Sequence, residues 1–165
     1  MKDYQFIGTA ENIAHYIISS LPQVDNLKLQ KLLYYAQAVH LVRTENKEAL
    51  FENQIQAWQY GPVVPDVYRI YKSHGVEPIL VPEHTGDFRV FPEKITKKAM
   101  LFAQESIDMM LGYYGEKSGI ELIKKTHAES PWQDVFDPAK KNIEISRQSM
   151  YDFYKDMFTF YDEET

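Results

Sequence analysis

Cysteine is absent from this chain. Its absence excludes disulfides, thiolate metal ligands and a cysteine nucleophile, and agrees with a reducing compartment. Long apolar runs are missing too. Nowhere do about eighteen apolar residues stand together, so no membrane-spanning helix and no membrane partner are expected. The N-terminal stretch from Met1 to Gly8 has no apolar run behind a basic start, which points to a cytoplasmic protein. Basic charge is in short supply: 18 Lys and Arg stand against 24 Asp and Glu, giving a net charge of -6 and a pI near 5.4. Because gripping nucleic acid requires clustered Lys and Arg to displace counterions from phosphates, no direct nucleic-acid binding is expected. Glycine is also scarce, with seven residues and no dinucleotide or P-loop spacing among them, so no nucleotide cofactor is implied.

The basic residues that are present form pairs, Lys97-Lys98, Lys124-Lys125 and Lys140-Lys141, which read as solvated surface. The acidic end, Asp162 to Glu164, reads as a solvated tail able to attract a basic partner. No serine ahead of the C-terminal helix sits in a G-x-S-x-G elbow. Catalysis would therefore have to be built from histidines and carboxylates. The best candidates are His127, Glu129 and Asp134, which could place a base and a metal-binding carboxylate after a helix end. A metal site usually needs three protein ligands, however, and the His pair four apart that zinc helices display is lacking. The simpler reading is that Thr126 and His127 hydrogen-bond one helix end while Glu129 and Ser130 prepare the next. Glu11 and His15 read as a surface pair and His40 as a satisfied core histidine. No catalytic residue, metal ligand or cofactor is assigned, and the chain is expected not to be an enzyme.

At 165 residues the chain is of single-domain size and can bury roughly 70% of its unfolded surface. It shows no repeat or dividing linker, so one domain over 1–165 is expected, with its core at about 10–158. The apolar spacing of Ala10, Ile13, Ala14 and Ile17 predicts a first helix capped by Thr9 and stopped at Pro22. A central helix follows, capped by Asp25 or Asn26. Pro65 opens a short helix through Tyr71, and Ile95 to Tyr114 trace a long one with Gly112 and Gly115 marking its end. A shorter helix runs through Ile120 and Ile123. Ser130 reads as an N-cap with Pro131 at the first helical position, and Ser146 as a second cap, ahead of an aromatic stripe of Met150, Phe153, Tyr154, Met157, Phe158 and Tyr161. Pro78–Pro82 and Asp87–Pro92 read as an edge hairpin. The expected fold is mainly α: a compact helical bundle with a small β-hairpin.

Two segments carry the most information. In LKLQKLLYYAQ (27–37) the stripe of Leu29, Leu32, Leu33, Ala36, Val39 and His40 is matched by a second stripe, Leu27, Tyr34, Ala38 and Leu41, on the opposite side. A helix apolar nearly all round is either central or covered by a partner, and core is the simpler reading. The polar residues between the stripes, Lys28, Gln30, Lys31 and Gln37, then have unusual surroundings. In AWQYGPVVP (57–65), the prolines and Gly61 stiffen a turn led by Trp58 and Tyr60, which either plug the core or serve recognition.

These two runs, with THAESPW (126–132), look like the three signature blocks of the Panacea (SocA-like antitoxin) domain family, a group that includes phage-associated GepA-like proteins. The resemblance spans about Ala10 to Phe158. It implies a mostly helical bacterial or phage protein that neutralises a cognate protein toxin by binding it. On that reading Lys28, Gln30, Lys31, Tyr34, Trp58 and Tyr60 are the expected partner contacts, and Lys31→Glu should weaken binding with little loss of stability. The alternatives are a proteolytic adaptor, an anti-defence binding protein and, less readily, a metal-dependent hydrolase using His127 and Glu129.

Overall fold

The computed structural model describes residues 3–82 and 95–158. The chain runs through strand β1 (Gln5–Gly8), helices α1 (Ala10–Ser20) and α2 (Asn26–Arg43), and strands β2 (Glu48–Phe51), β3 (Gln56–Trp58) and β4 (Gly61–Val63). Helix α3 (Pro65–Tyr71) and a 3-10 turn at Lys72–His74 follow, then α4 (Lys97–Tyr114), α5 (Gly119–His127), the short α6 (Ser130–Gln133) and α7 (Arg147–Tyr154). The fold is mainly α, as expected, with two small two-stranded sheets among the described residues.

The helix starts follow local chemistry. Thr9 accepts from the Asn12 N–H at 3.2 Å, and the Asp25 carboxylate accepts from the Lys28 N–H at 2.7 Å. Asp25 is thus the cap of α2, which frees Asn26 to turn inward. Ser118 and Glu121 form a reciprocal capping box at α5, and Ser146 caps α7. Two readings need correction. Glu129, not Ser130, holds the N-cap position of α6, and its carboxylate is drawn into the interior instead of capping. Gly112 lies inside α4, and only Gly115 ends it.

The hairpin also sits elsewhere than expected. Asp87–Pro92 and its connection fall wholly in 83–94, outside the described residues, and Pro78–Pro82 forms no strand: the Ile79 N–H instead donates to Val24 O at 2.7 Å. Among the described residues the hairpin is β3–β4, folded around Gln59 and Tyr60, with Gln56 opposite Val63, Ala57 opposite Pro62 and Trp58 opposite Gly61. A two-residue loop makes Trp58–Gly61 a hydrogen-bonded pair, so the next pair, Ala57–Pro62, is not one. Pro62 therefore sits where a missing N–H costs no ladder bond. The outer side of β3 is paired by residues 143–145, through Ala57 N–H to Ile143 O and Ile145 N–H to Ile55 O, both 2.8 Å. The other sheet pairs β1 with β2 in parallel.

Helix α2 is the axis of the molecule. It packs against α1, α3, α4, α5, α7, β2 and β4, and every residue from Leu29 to Leu41 is buried. The second apolar stripe is thus core, with Leu27 alone partly exposed. His40 is also in the core, its Nδ1 2.7 Å from Ser106 Oγ and its Nε2 3.3 Å from Glu48. Burial, with Arg43 beside it, pushes this imidazole down to about 3, so the ring stays neutral. On α7, Met150 and Tyr154 are fully enclosed; past its end Phe158 is nearly so, whereas Met157 faces solvent and Tyr161 lies outside the described residues.

Candidate functional site

A helix buried on all sides needs a use for its polar residues, and α2 spends them on strand edges. Residues 62 and 64 direct their backbone groups away from the hairpin, toward α2. There Gln30 Oε1 accepts from the Val64 N–H at 2.9 Å, and Lys31 Nζ donates to Pro62 O at 3.1 Å. The Gln30 amide donates to Asn26 Oδ1, and Asn26 to Tyr68 O. About two turns past Gln30, Gln37 treats β2 in the same way, accepting from the Leu50 N–H at 2.7 Å and donating to Phe51 O at 2.8 Å. These side chains stand where a further strand would otherwise be required, since each buried backbone group left unpaired costs about 1–3 kcal/mol.

Gly61 closes down on this arrangement. Its φ of +102° is strained for a side-chain-bearing residue, and a Cβ there would lie 2.7 Å from Lys31 Cε and 2.9 Å from Thr126 Oγ1. Glycine lets the hairpin rest directly on the lysine stem. Burial pulls the Lys31 ammonium down to about 7, only partly opposed by Asp25.

The third block joins from the other side. Glu129, 5% exposed, accepts from the Tyr35 hydroxyl and, at 2.9 Å, from the Tyr154 hydroxyl. The Tyr34 and Tyr154 hydroxyls are 3.0 Å apart, and Tyr114 stacks on Tyr35 at 3.9 Å between ring centres. Burial raises the Glu129 carboxyl above the ordinary carboxylate range, while the two phenol hydrogen bonds and Lys125 pull it back. Burial also raises all four phenols, so they remain neutral donors. Beyond this node His127, Trp132 and Phe136 form a stacked ladder at 4.0 and 4.6 Å, and Trp132 Nε1 donates to Trp58 O at 2.8 Å.

His127 and Glu129 therefore have separate engagements. The histidine is hydrogen-bonded to the Gln59 backbone and lies flat on Trp132, with burial and the nearby Lys31 lowering its pKa. The carboxylate belongs to the tyrosines. Asp134 is exposed. Among the described residues no group of three or more His, Asp or Glu is arranged to hold a metal ion.

Of the six expected partner contacts, Gln30, Lys31 and Tyr34 are at most 1% exposed and serve the fold from inside. The reason is that their polar atoms meet the hairpin backbone and the tyrosine cluster, which their helical spacing alone could not reveal. Lys28 is partly exposed, donates to Gly115 O at 2.7 Å, and lines a groove of about 700 Å³ with Asp25, Glu116 and Glu121. Trp58 is half-buried, its indole N–H held by Gln56 Oε1 at 3.0 Å and its ring edge-on to Tyr68. Tyr60 is 57% exposed at the hairpin tip. A second groove, of about 470 Å³, opens beside Trp58. Ala57, Trp58 and Gln59 line it together with Phe136, Pro138, Lys140, Lys141 and Asn142. Sequence reasoning passed over this groove because its lysines read as plain solvated surface.

A family model described as "Antitoxin SocA-like, Panacea domain" matches residues 29–133. Antitoxin SocA of Caulobacter vibrioides (strain NA1000 / CB15N) is 27% identical over 146 residues, which cover 83% of this chain and 73% of that protein. No solved structure matches the chain. The matched span holds the second and third blocks whole and the first from Leu29 onward.

Proposed function

Because the chain belongs to the SocA-like antitoxin, Panacea domain family, we propose that it is an antitoxin that neutralises a cognate protein toxin by direct binding, covering the toxin's active surface. The family match over residues 29–133 carries this reading. Two structural observations are in keeping with it: the buried polar residues of the three blocks, Gln30, Lys31, Gln37, Thr126 and Glu129, are committed to holding the fold, and aromatic surface remains at the hairpin. Trp58 and Tyr60 are the anchors of the proposed contact, whereas the Lys28 ammonium is donated to Gly115 O and stays outside it. Gln30 and Lys31 contribute indirectly, as the supports that fix the hairpin's position, and Tyr34 as a member of the tyrosine cluster. No helix among the described residues is long and apolar enough to cross a membrane, and the proposed neutralisation takes place in the cytoplasm.

The test is a growth assay. The neighbouring reading frame is expressed alone in a bacterial host and then together with this chain. Growth arrest that is relieved by co-expression is expected. Arrest without relief would overturn the antitoxin reading and favour a role as an adaptor or anti-defence protein.

A further inference from the structure

The groove beside Trp58 has a composition that selects its occupant. Its lining is largely apolar and aromatic, with Ala57, Trp58, Phe136 and Pro138, and Phe136 is the last ring of the ladder that starts at His127. At its mouth stand Lys140 and Lys141, both exposed and neither in a salt bridge among the described residues. The nearest carboxylate in sequence, Asp137, is turned into its own loop, where Oδ1 accepts from the Ala139 N–H at 2.9 Å. Among the described residues no acidic side chain lines the groove. In a chain of net charge -6, this is a local reversal of sign. The larger groove around Lys28 offers no such contrast, because Asp25, Glu116 and Glu121 line it as well and the Lys28 ammonium is spent on Gly115 O.

The walls are also rigid. β3 is held on both sides, by β4 and by residues 143–145, and Trp132 clamps Trp58 O. Asn142, at φ 58°, ends the lysine loop and returns the chain to that pairing. A preformed aromatic slot with two cations at its rim fits a peptide that brings an apolar side chain for the slot and carboxylates for the lysines.

We propose that the groove between Trp58 and Phe136, rimmed by Lys140 and Lys141, is where this protein binds an acidic segment of its toxin carrying an apolar anchor. The assignment rests on the antitoxin reading and specifies its interface. It is tested with the purified product of the neighbouring reading frame, by titration against the wild-type chain and two double variants. Lys140→Glu with Lys141→Glu reverses the rim. Lys97→Glu with Lys98→Glu makes the same change in net charge on exposed residues at the start of α4. The rim variant is expected to weaken binding about tenfold or more and to lose growth rescue, with an unchanged melting temperature. The α4 variant should stay within about twofold of wild type. The wild-type affinity should also fall as salt rises, and that dependence should flatten in the rim variant.

Equal affinity of the rim variant and wild type, with rescue intact, would overturn the groove assignment and leave the antitoxin reading standing. Equal weakening by both double variants would overturn it too, since the effect would then be general charge. Failure of the wild-type chain itself to bind or rescue would overturn both readings, and that result differs from the others because no variant is needed to see it.

Discussion

Lys31 is charged in water and enclosed in the fold, and the difference can be measured. Its ammonium titrates near 10.5 in the unfolded chain and at about 7 in the folded one. Between those values the unfolded chain holds a proton that the folded chain has released, so this residue makes stability rise as pH climbs from about 7 to about 10.5. Below about 7 both states are protonated and the contribution is flat at its least favourable. The full difference corresponds to roughly 5 kcal/mol between the charged and neutral forms. Lys31→Met keeps a stem beneath Gly61 and removes the titration. From pH 7 to pH 9 the stability of wild type should gain about 2 kcal/mol on that of Lys31→Met, read from urea midpoints; parallel pH profiles would show that Lys31 is not enclosed. Gly61 is the counterpart of this lysine. With φ at +102° and a Cβ that would meet Lys31 Cε at 2.7 Å, Gly61→Ala should lose about 2–4 kcal/mol in the same measurement. A loss under about 0.5 kcal/mol would mean that the hairpin can lift off the lysine without penalty.

At the scale of elements, α2 substitutes for missing strands. Gln37→Leu retains the bulk but strands the Leu50 N–H and the Phe51 C=O, both buried. A loss of about 2–3 kcal/mol is expected, with faster hydrogen exchange at the Leu50 amide than in wild type. Unchanged exchange there would show that another group pairs with that amide. Which elements could be read in the sequence follows from how local their causes are. Thr9, Asp25, Pro65, Gly115, Ser118 and Ser146 act within a turn of the helices they start or end, and most of these boundaries were legible. Glu129 was not, because a carboxylate pulled toward Tyr35 and Tyr154 is a matter of residues 94 and 25 positions away. The β3–β4 hairpin escaped for two reasons: three-residue strands are too short to show alternation, and Pro62 argues against a strand unless its unpaired register is known.

At the scale of the whole molecule, three segments far apart in sequence interlock around α2. Gln30 and Lys31 hold the second segment, Tyr35 holds the third through Glu129, and Trp132 of the third returns to Trp58 of the second. The resemblance located these blocks in the sequence, but neither periodicity nor spacing could tell that their polar residues face one another instead of a partner. The candidate contact was half legible for the same reason: Trp58 and Tyr60 are at the surface, whereas Lys31 is not. The central claim is that the blocks form an interior node, and the melting temperature of Lys31→Glu tests it most directly. A carboxylate at that buried position would meet Pro62 O with no donor to offer, so the account predicts a fall of about 10 °C or more, or a chain that does not fold. A melting temperature within about 2 °C of wild type, with toxin binding lost, would contradict the account and return Lys31 to the surface as a direct contact.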